Sequence, residues 1–442
     1  MNSENQKIEQ SLNVSFKDGI FASAMMGFTQ DYFIPFLLVL GGTASQVGIL
    51  SAVPNFFSAI VQLKSAEATI KAGSRKPVMN IFVFLQAVTL LPIAMLAWFQ
   101  KGSPVLLICF VTLFATLGAF PVPAWGSLMS DLVPEHKRGE YFGWRNRILG
   151  CIIVGSSFLA GVILQHMKSV NVFHGFALIF LSACIFRLIS WNFLRRMYEP
   201  ALIQKKEEQF TLYQFLARIK ESNFARFVLF VSFLSFSVNL AAPHFSVFML
   251  RDLHFSYLLY SLITVTATLT VYLLSSRWGR LADRVGNLKV MKFTAPIISI
   301  LPVFWIINRN PFFLFFTQIV SGFAWAGFNL CASNFIYDAV SPPKRTRCIA
   351  YFNLLNGLAL AFGALIGGFI VSRLPELFGY KILSLFLLSS CLRLIMATLL
   401  PLPLKEVRAV PTVKSNELFC SMLGVKPILG VERKTIQYEN LQ

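Results

Sequence analysis

Charge is scarce in this sequence. Only 13% of the 442 residues are Asp, Glu, Lys or Arg, and only 20 are acidic, which excludes a soluble domain clothed in charge. Metal ligands are thin as well. The seven cysteines lie mostly inside apolar runs without Cys-x-x-Cys spacing and the five histidines are scattered, so no metal site is expected. No nucleophile stands next to a base, and no Walker-type Gly-rich loop appears. The chain therefore reads as a non-enzyme without a cofactor, and any energy it uses must come from a gradient. The N-terminal stretch MNSENQKIEQSLNVSFKDG is polar and lacks the basic n-region, short apolar core and small-residue site of a cleaved signal.

What the sequence has in abundance is apolar length. Hydrophobic residues make up 56%, phenylalanine alone contributes 45, and the mean hydropathy is +0.65. Twelve apolar runs of about twenty residues follow one another from position 18 to position 402, each long enough to cross a ~30 Å hydrocarbon core as a helix. The expected class is an all-α integral, multi-pass membrane protein with twelve transmembrane helices. The net charge of +19 is not a nucleic-acid signature, because Lys and Arg concentrate in alternate loops, near 64–77, 131–147, 194–226, 277–292 and 338–347. The positive-inside rule then puts both termini in the cytoplasm, with the basic loops against anionic lipid headgroups.

An internal repeat organises the chain. A shift of 207 lays SDLVPEHKRGEYFGWRNRILG (130–150) over YDAVSPPKRTRCIAYFNLLNG (337–357) without a gap. Asp131 meets Asp338, Arg138 meets Arg345, Asn146 meets Asn353, and farther on Gly161 meets Gly368 and Cys184 meets Cys391. Chance apolar similarity does not align charges, so two pseudo-symmetric six-helix bundles are expected, at 18–194 and 225–402. A cytoplasmic N-terminus (1–17), a linker (195–224) that is either an amphipathic surface helix or a solvated connector, and a cytoplasmic tail (403–442) complete the chain.

The stretch FTQDYFIPF (28–36) places Asp31 inside an apolar run, where an ionisable group is by default a functional candidate. A shift of 208 brings Pro35 onto Pro243 and Asp31 onto Asn239, so each half keeps a polar residue four positions before a proline. At that position the backbone carbonyl has lost its helical donor, and water, a side chain or a ligand can approach it.

After the eighth run comes WGRLADRVGNLK (278–289). Gly279, Leu281, Ala282, Asp283, Arg284 and Gly286 match the Gly-x-Leu-Ala-Asp-Arg-x-Gly signature of the major facilitator superfamily, which the chain resembles over nearly its whole length. The first half departs from the pattern: with Gly73 over Gly286, Ala66 and Ile70 replace the glycine and the aspartate. The resemblance implies a cytoplasmic gate built on Gly279, Asp283, Arg284 and Gly286, with Arg345 or Asp338 as partners of Asp283, and a reduced latch from Asp131 and Arg138. The fourth run contains no arginine and residues 150–166 contain no proline, unlike the drug–proton antiporters of that superfamily.

The resemblance further implies a central cavity lined by the first, fourth, seventh and tenth helices. Candidate residues there are Gln30, Asp31, Trp125, Asn239, His244, Trp325 and Asn329, with Asn353 and Asn356 on the adjacent eleventh helix. Indole and amide groups suit an uncharged or amphipathic small organic solute; an asparagine that merely bonds a neighbouring helix is the plainer alternative. Arg187 and Arg393 read as snorkelling or as partners of loop carboxylates. The expected function is secondary active transport by alternating access, with Asp31 exchanging a proton or Na+, by a monomer surrounded by lipid. A non-transporting assembly or sensor protein of the same fold, or a lipid or lysolipid flippase, are the alternatives.

Overall fold

The computed structural model describes residues 2–100, 102–134, 138–200, 211–217 and 221–408, leaving aside the side chains of 2–5, 66, 70, 138–140, 342, 343, 345 and 346. The first half contains α1 (Asn2–Thr29), α2 (Phe33–Val39), α3 (Ala44–Ala72), α4 (Arg75–Trp98), α5 (Pro104–Ala119), α6 (Val122–Leu132), α7 (Arg138–Met167) and α8 (Val172–Leu194). After the short α9 (Leu212–Ala217) the second half contains α10 (Asn223–Asn239), α11 (Ala242–Val247), α12 (Tyr257–Val285), α13 (Asn287–Ile307), α14 (Pro311–Ala339), α15 (Pro342–Ile370) and α16 (Lys381–Leu399). Eleven spans are long and apolar enough to cross a membrane, among the described residues. The twelfth crossing is the α1–α2 pair, which the polar turn Gln30–Tyr32 interrupts.

Proline explains the interrupted crossings. Pro35, Pro121 and Pro243 stand at or just after the breaks between α1 and α2, α5 and α6, and α10 and α11, where a missing N–H and a ring clash end the preceding helix. Several other helix starts are capped by side-chain oxygens: Ser103, Asn171, Ser222, Ser256 and Asn310 accept from backbone N–H groups two or three residues on. The linker's described portion holds only α9, whose Phe215 packs on Phe224 and Tyr351. Most of the remaining linker, and the tail beyond 408, lie outside the described residues.

The two halves meet along two seams, α3 against α15 and α7 against α12, and through α11, which packs on α2 and α3. Glycine sets both seams. A Cβ at Gly48 would come within 2.6 Å of the Ala364 carbonyl oxygen, and one at Gly357 within 2.5 Å of the Ala59 side chain. On the other seam Gly161 lies directly against Ser261, and a Cβ at Gly150 would sit 2.5 Å from the Tyr272 ring. The repeat relates these contacts: a shift of 207 carries Gly150 and Gly161 onto Gly357 and Gly368, and 213, the shift that lays Gly73 over Gly286, carries Gly48 and Ala59 onto Ser261 and Tyr272. In each pair the two positions are eleven residues apart, about three turns, so they share one helix face.

The hydrophobic cores reveal which end is shut. At the end remote from the basic loops, one cluster joins both halves, with Tyr32, Phe36, Leu37, Val47 and Phe176 packed with Leu240, Val247, Phe248, Tyr260 and Phe386. At the basic end the packing divides into two clusters, one around Leu128, Met129 and Leu194 and the other around Phe227, Trp278 and Phe335, each within its own half. Close side-chain packing, which holds membrane helices together, thus joins the far end across the halves and leaves the basic end packed only within each.

Candidate functional site

The inner helices α1, α6, α10 and α14 pack chiefly within their own halves. They border the space between the halves, with the seams as its side walls and the joined cluster as its far end.

Asp31 sits at the floor of that sealed end. Gly27, one turn earlier, lets α1 lie against the α7 backbone, where a Cβ would come within 2.6 Å of the Ile153 oxygen. That approach brings Asp31 Oδ2 to the Ser157 hydroxyl, which donates to it at 3.0 Å. Because Pro35 has no N–H, the Asp31 carbonyl is free, and it accepts instead from the Tyr260 hydroxyl of the other half at 2.7 Å. The Ser157 carbonyl accepts from Tyr32 and, at 3.0 Å, from Ser261 of the other half. Ser246 and Tyr260 share a further bond of 3.1 Å. Among the described residues the carboxylate thus has one hydroxyl donor and no basic partner, while its own peptide is tied to the opposite bundle. The two tyrosines, 32 and 260, were missed from sequence; the orphan carbonyl was the signal, but its donor lies 229 positions away.

Pro35→Ala would restore an N–H to bond the Asp31 carbonyl and let α1 run into α2. Relief of an interior proline is worth up to about 3 kcal/mol, more than the ~1 kcal/mol of one hydrogen bond. The variant is expected to unfold at a higher temperature than wild type yet transport poorly, as thermal unfolding and uptake measured side by side will show.

Asn239 stands at the matching break of α10, and its amide donates to the Leu360 carbonyl at 2.7 Å, the helix-to-helix role. Gln30 is exposed at the α1 break, Trp325 is half-buried and edge-on to Phe328, and Asn329 is exposed on α14. Asn353 bonds Gln62 across the α3–α15 seam at 3.3 Å, and Asn356 has a buried Oδ1 without a partner. Two candidates are misplaced. His244 is fully buried, on α11 where that helix packs against α2 and α3, and so does not line an open central space. Trp125 is 21 residues past Pro104, about 31 Å along the chain of helices, so it lies toward the basic end, where the Arg145 guanidinium covers its ring at 4.9 Å.

Arg187 and Arg393 do not snorkel. Arg187 donates to Gln86 at 2.8 Å and to Ser190 at 3.1 Å, and Ser190 donates to the buried Asp18 at 2.6 Å. Arg393 is 3% exposed and bonds Ser389 and the carbonyls of Ile298 and Val238, the last beside the α10 break.

At the basic end each half carries its own cluster of charged contacts. Gly73 and Gly286 both take positive φ, 64° and 93°, as tight turns require, whereas Gly279 lies within α12 and turns nothing. Glu199 accepts from the Arg75 N–H at 2.6 Å and Glu406 from the Leu288 N–H at 2.8 Å, each at a helix start where carboxylates are favoured. In the first half Asp131 pairs with Arg75 at 2.6 Å. In the second, Arg408 holds Asp338 through Nε at 2.7 Å and Nη2 at 3.1 Å, and Asp283 at 2.9 Å; Asn287 adds a bond to Asp338 at 2.7 Å. These two carboxylates push the Arg408 pKa further up. Arg284 is exposed, and the side chains of Arg138 and Arg345 lie outside the described residues. Glu199 and Glu406 are in register at the shift of 207, so a longer reading of the repeat would have found them. Arg408→Ala should cost under about 1 kcal/mol, since the pair is partly exposed; urea titration should show a difference that fades at high salt.

Comparison with known proteins places this geometry. The family model described as Major Facilitator Superfamily matches residues 19–242 and again 227–430. No curated protein matches the sequence. Among solved structures, the nucleoside transporter NupG is 15% identical with a TM-score of 0.65, covering 89% of this chain and 98% of its own. A bacterial homologue of the lysosomal transporter Spinster, inward-facing and unoccupied, is 13% identical with a TM-score of 0.61, over 89% and 96%. A bacterial homologue of the iron transporter ferroportin, also inward-facing, is 15% identical with a TM-score of 0.61, over 89% and 99%. At these identities the likeness speaks for the fold alone.

Proposed function

From the premise that the chain belongs to the Major Facilitator Superfamily, a family of solute transporters, we propose that it is a secondary active transporter of a small, uncharged or amphipathic organic solute, driven by a cation gradient through Asp31. With the basic end in the cytoplasm, the conformation is inward-facing. The observation that carries the reading is the isolation of Asp31. It is a carboxylate at a helix break between the halves, with a single hydroxyl donor and no basic partner, and such a group can exchange a cation that a salt-bridged one could not. The solute would lie between Gln30, Asn239, Trp325, Asn329 and Asn356, which offer amides and an indole face but no charge.

Reconstituted protein tests this. Asp31→Asn is expected to abolish accumulation against a gradient while leaving solute exchange, which needs no net movement of the cation, largely intact. Undiminished accumulation in the variant would sink the assignment.

A further inference from the structure

Three side chains of α16 reach the backbone at two irregular places in the second half. Ser389 and Ser390, four and three residues before Arg393, share one face of the helix with it, and all three are buried. The first place is the end of α10 at Asn239, where the last-turn carbonyls have no intrahelical donor. There the Ser237 carbonyl accepts from Ser389 at 2.6 Å and the Val238 carbonyl from Arg393 Nη2 at 3.1 Å. The second place lies within α13, where Pro302 removes the N–H that would bond the Ile298 carbonyl four residues earlier. Arg393 Nη1 donates to that carbonyl at 3.3 Å, and Ser390 donates to the neighbouring Ser299 carbonyl. Nε joins Ser389 at 3.0 Å. One guanidinium thus spans both places.

The first half is built otherwise. Counting back from Arg187, Ala183 and Cys184 stand where Ser389 and Ser390 stand before Arg393, and Arg187 bonds the Gln86 and Ser190 side chains. The break after α1 is held from across the halves instead, by Tyr260 on the Asp31 carbonyl. A bond between the halves is at the mercy of any motion between them. Bonds within one half are not.

We propose that Arg393 is a positioning residue, which with Ser389 pins the α10 break from inside the second half and so holds Asn239 in place. That Asn239 meets a solute rests on the transporter reading above; the pinning does not. Arginine suits the task, because its planar fork offers several donors at fixed spacing, which the point charge of lysine lacks. The carbonyl end of a helix also carries partial negative charge that favours a cation. Asn239 itself adds a third tie within the same half, through its amide to the Leu360 carbonyl of α15.

The test uses the full-length chain with its native cysteines replaced and spin labels on either side of the break. Phe233 is exposed on α10, and Arg251 is exposed in the helical turn Phe248–Asp252 that follows α11. Wild type should give one narrow distance. Arg393→Met should shift or broaden it, Arg393→Lys should fall between the two, and Ser389→Ala, a change too small to unfold the protein, should broaden it to a lesser degree. Ser390→Ala loses only the bond to α13 and should leave the distance as it was. Thermal unfolding is the second readout. Pro302→Ala returns an N–H to the Ile298 carbonyl, so it should raise the unfolding temperature more in Arg393→Met than in wild type. It should not restore the Phe233–Arg251 distance there, because Val238 still lacks the guanidinium.

A wild-type distance in both Arg393→Met and Ser389→Ala, an equal broadening in Ser390→Ala, or the same gain from Pro302→Ala in both backgrounds would each overturn the proposal. None of these measurements needs a solute. Undiminished accumulation in Asp31→Asn would therefore remove the coupled-transporter reading and leave the pinning standing, whereas an unaltered distance in the α16 variants would remove the pinning and leave that reading.

Discussion

Gly368→Leu is expected to stop transport and to trap the far end open. A Cβ at Gly368 would meet the Gly48 Cα at 2.8 Å and the Ser45 carbonyl at 3.2 Å, both backbone atoms that cannot swing aside, and leucine extends beyond that. Overpacking of this kind costs about 1–3 kcal/mol. Under the proposed alternating access only the closed far end bears the cost, because that cycle requires the seam to separate there. Since about 1.4 kcal/mol is a factor of ten in a population, the equilibrium should move by roughly tenfold or more toward the open form. The distance between spin labels at Val170 and Phe312, exposed at the far end and one in each half, should lengthen, and exchange of solute should fall with accumulation. Gly155 on α7, which has nothing within 4 Å of an added Cβ, supplies the control, and its leucine variant should behave as wild type. An unchanged distance in Gly368→Leu would mean that the seam is not what closes.

Asp18→Ala is expected to be the most destabilising single change. Asp18 is 6% exposed and stands among two buried or half-buried guanidiniums: Arg187, joined to it through Ser190, and Arg145, whose Nη2 fills the space beside Gly19. Arg145 itself bonds the Ser15 carbonyl at 3.4 Å and leans on Trp125. Removing the acid leaves positive charge uncompensated in a low-dielectric bundle, and stranding buried charge costs several kcal/mol, about 3–5 by analogy with a broken buried pair. The unfolding temperature in detergent should drop far more than for Asp31→Asn, which leaves no guanidinium stranded. Asp18→Asn, which keeps a partner for Ser190 but not the charge, should fall between wild type and Asp18→Ala. Equal stability of the Asp18 and Asp31 variants would refute this charge assignment.

Sequence and structure agree most where covalent geometry or the repeat decides the outcome. Pro35 and Pro243 announced the two helix breaks, and the gapless shift of 207 predicted which glycines would be equivalent. The partners of those positions were not legible, because a membrane helix is apolar on every side and its periodicity does not say which face meets a neighbour. Hence Tyr260 was overlooked and His244 was assigned to the central space although α11 buries it. Depth was legible but misread for Trp125: counting from Pro104 already puts it near the basic end. Arg187 and Arg393 misled because each lies within reach of an interface, and snorkelling looked less costly than burial. What decides instead is a ready set of acceptors, Gln86 and Ser190 for one and Ser389 with two carbonyls for the other. In the first half the expected Asp131 is present but pairs with Arg75, which the signature loop does not single out, and Glu199 joins at the position equivalent to Glu406.

The central claim is that solute binding and cation exchange at Asp31 share the space between the halves, and ligand-induced stabilisation tests it most directly. Purified protein is heated with sugars, amino acids, nucleosides, organic anions, drugs and lysolipids at two pH values, for wild type and Asp31→Asn. A solute present at 100 times its Kd stabilises a state-selective protein by about 2.7 kcal/mol. The account predicts at least one solute whose stabilising effect depends on pH in wild type and not in Asp31→Asn. A solute that stabilises both proteins equally at both pH values, or none that stabilises either, would contradict it.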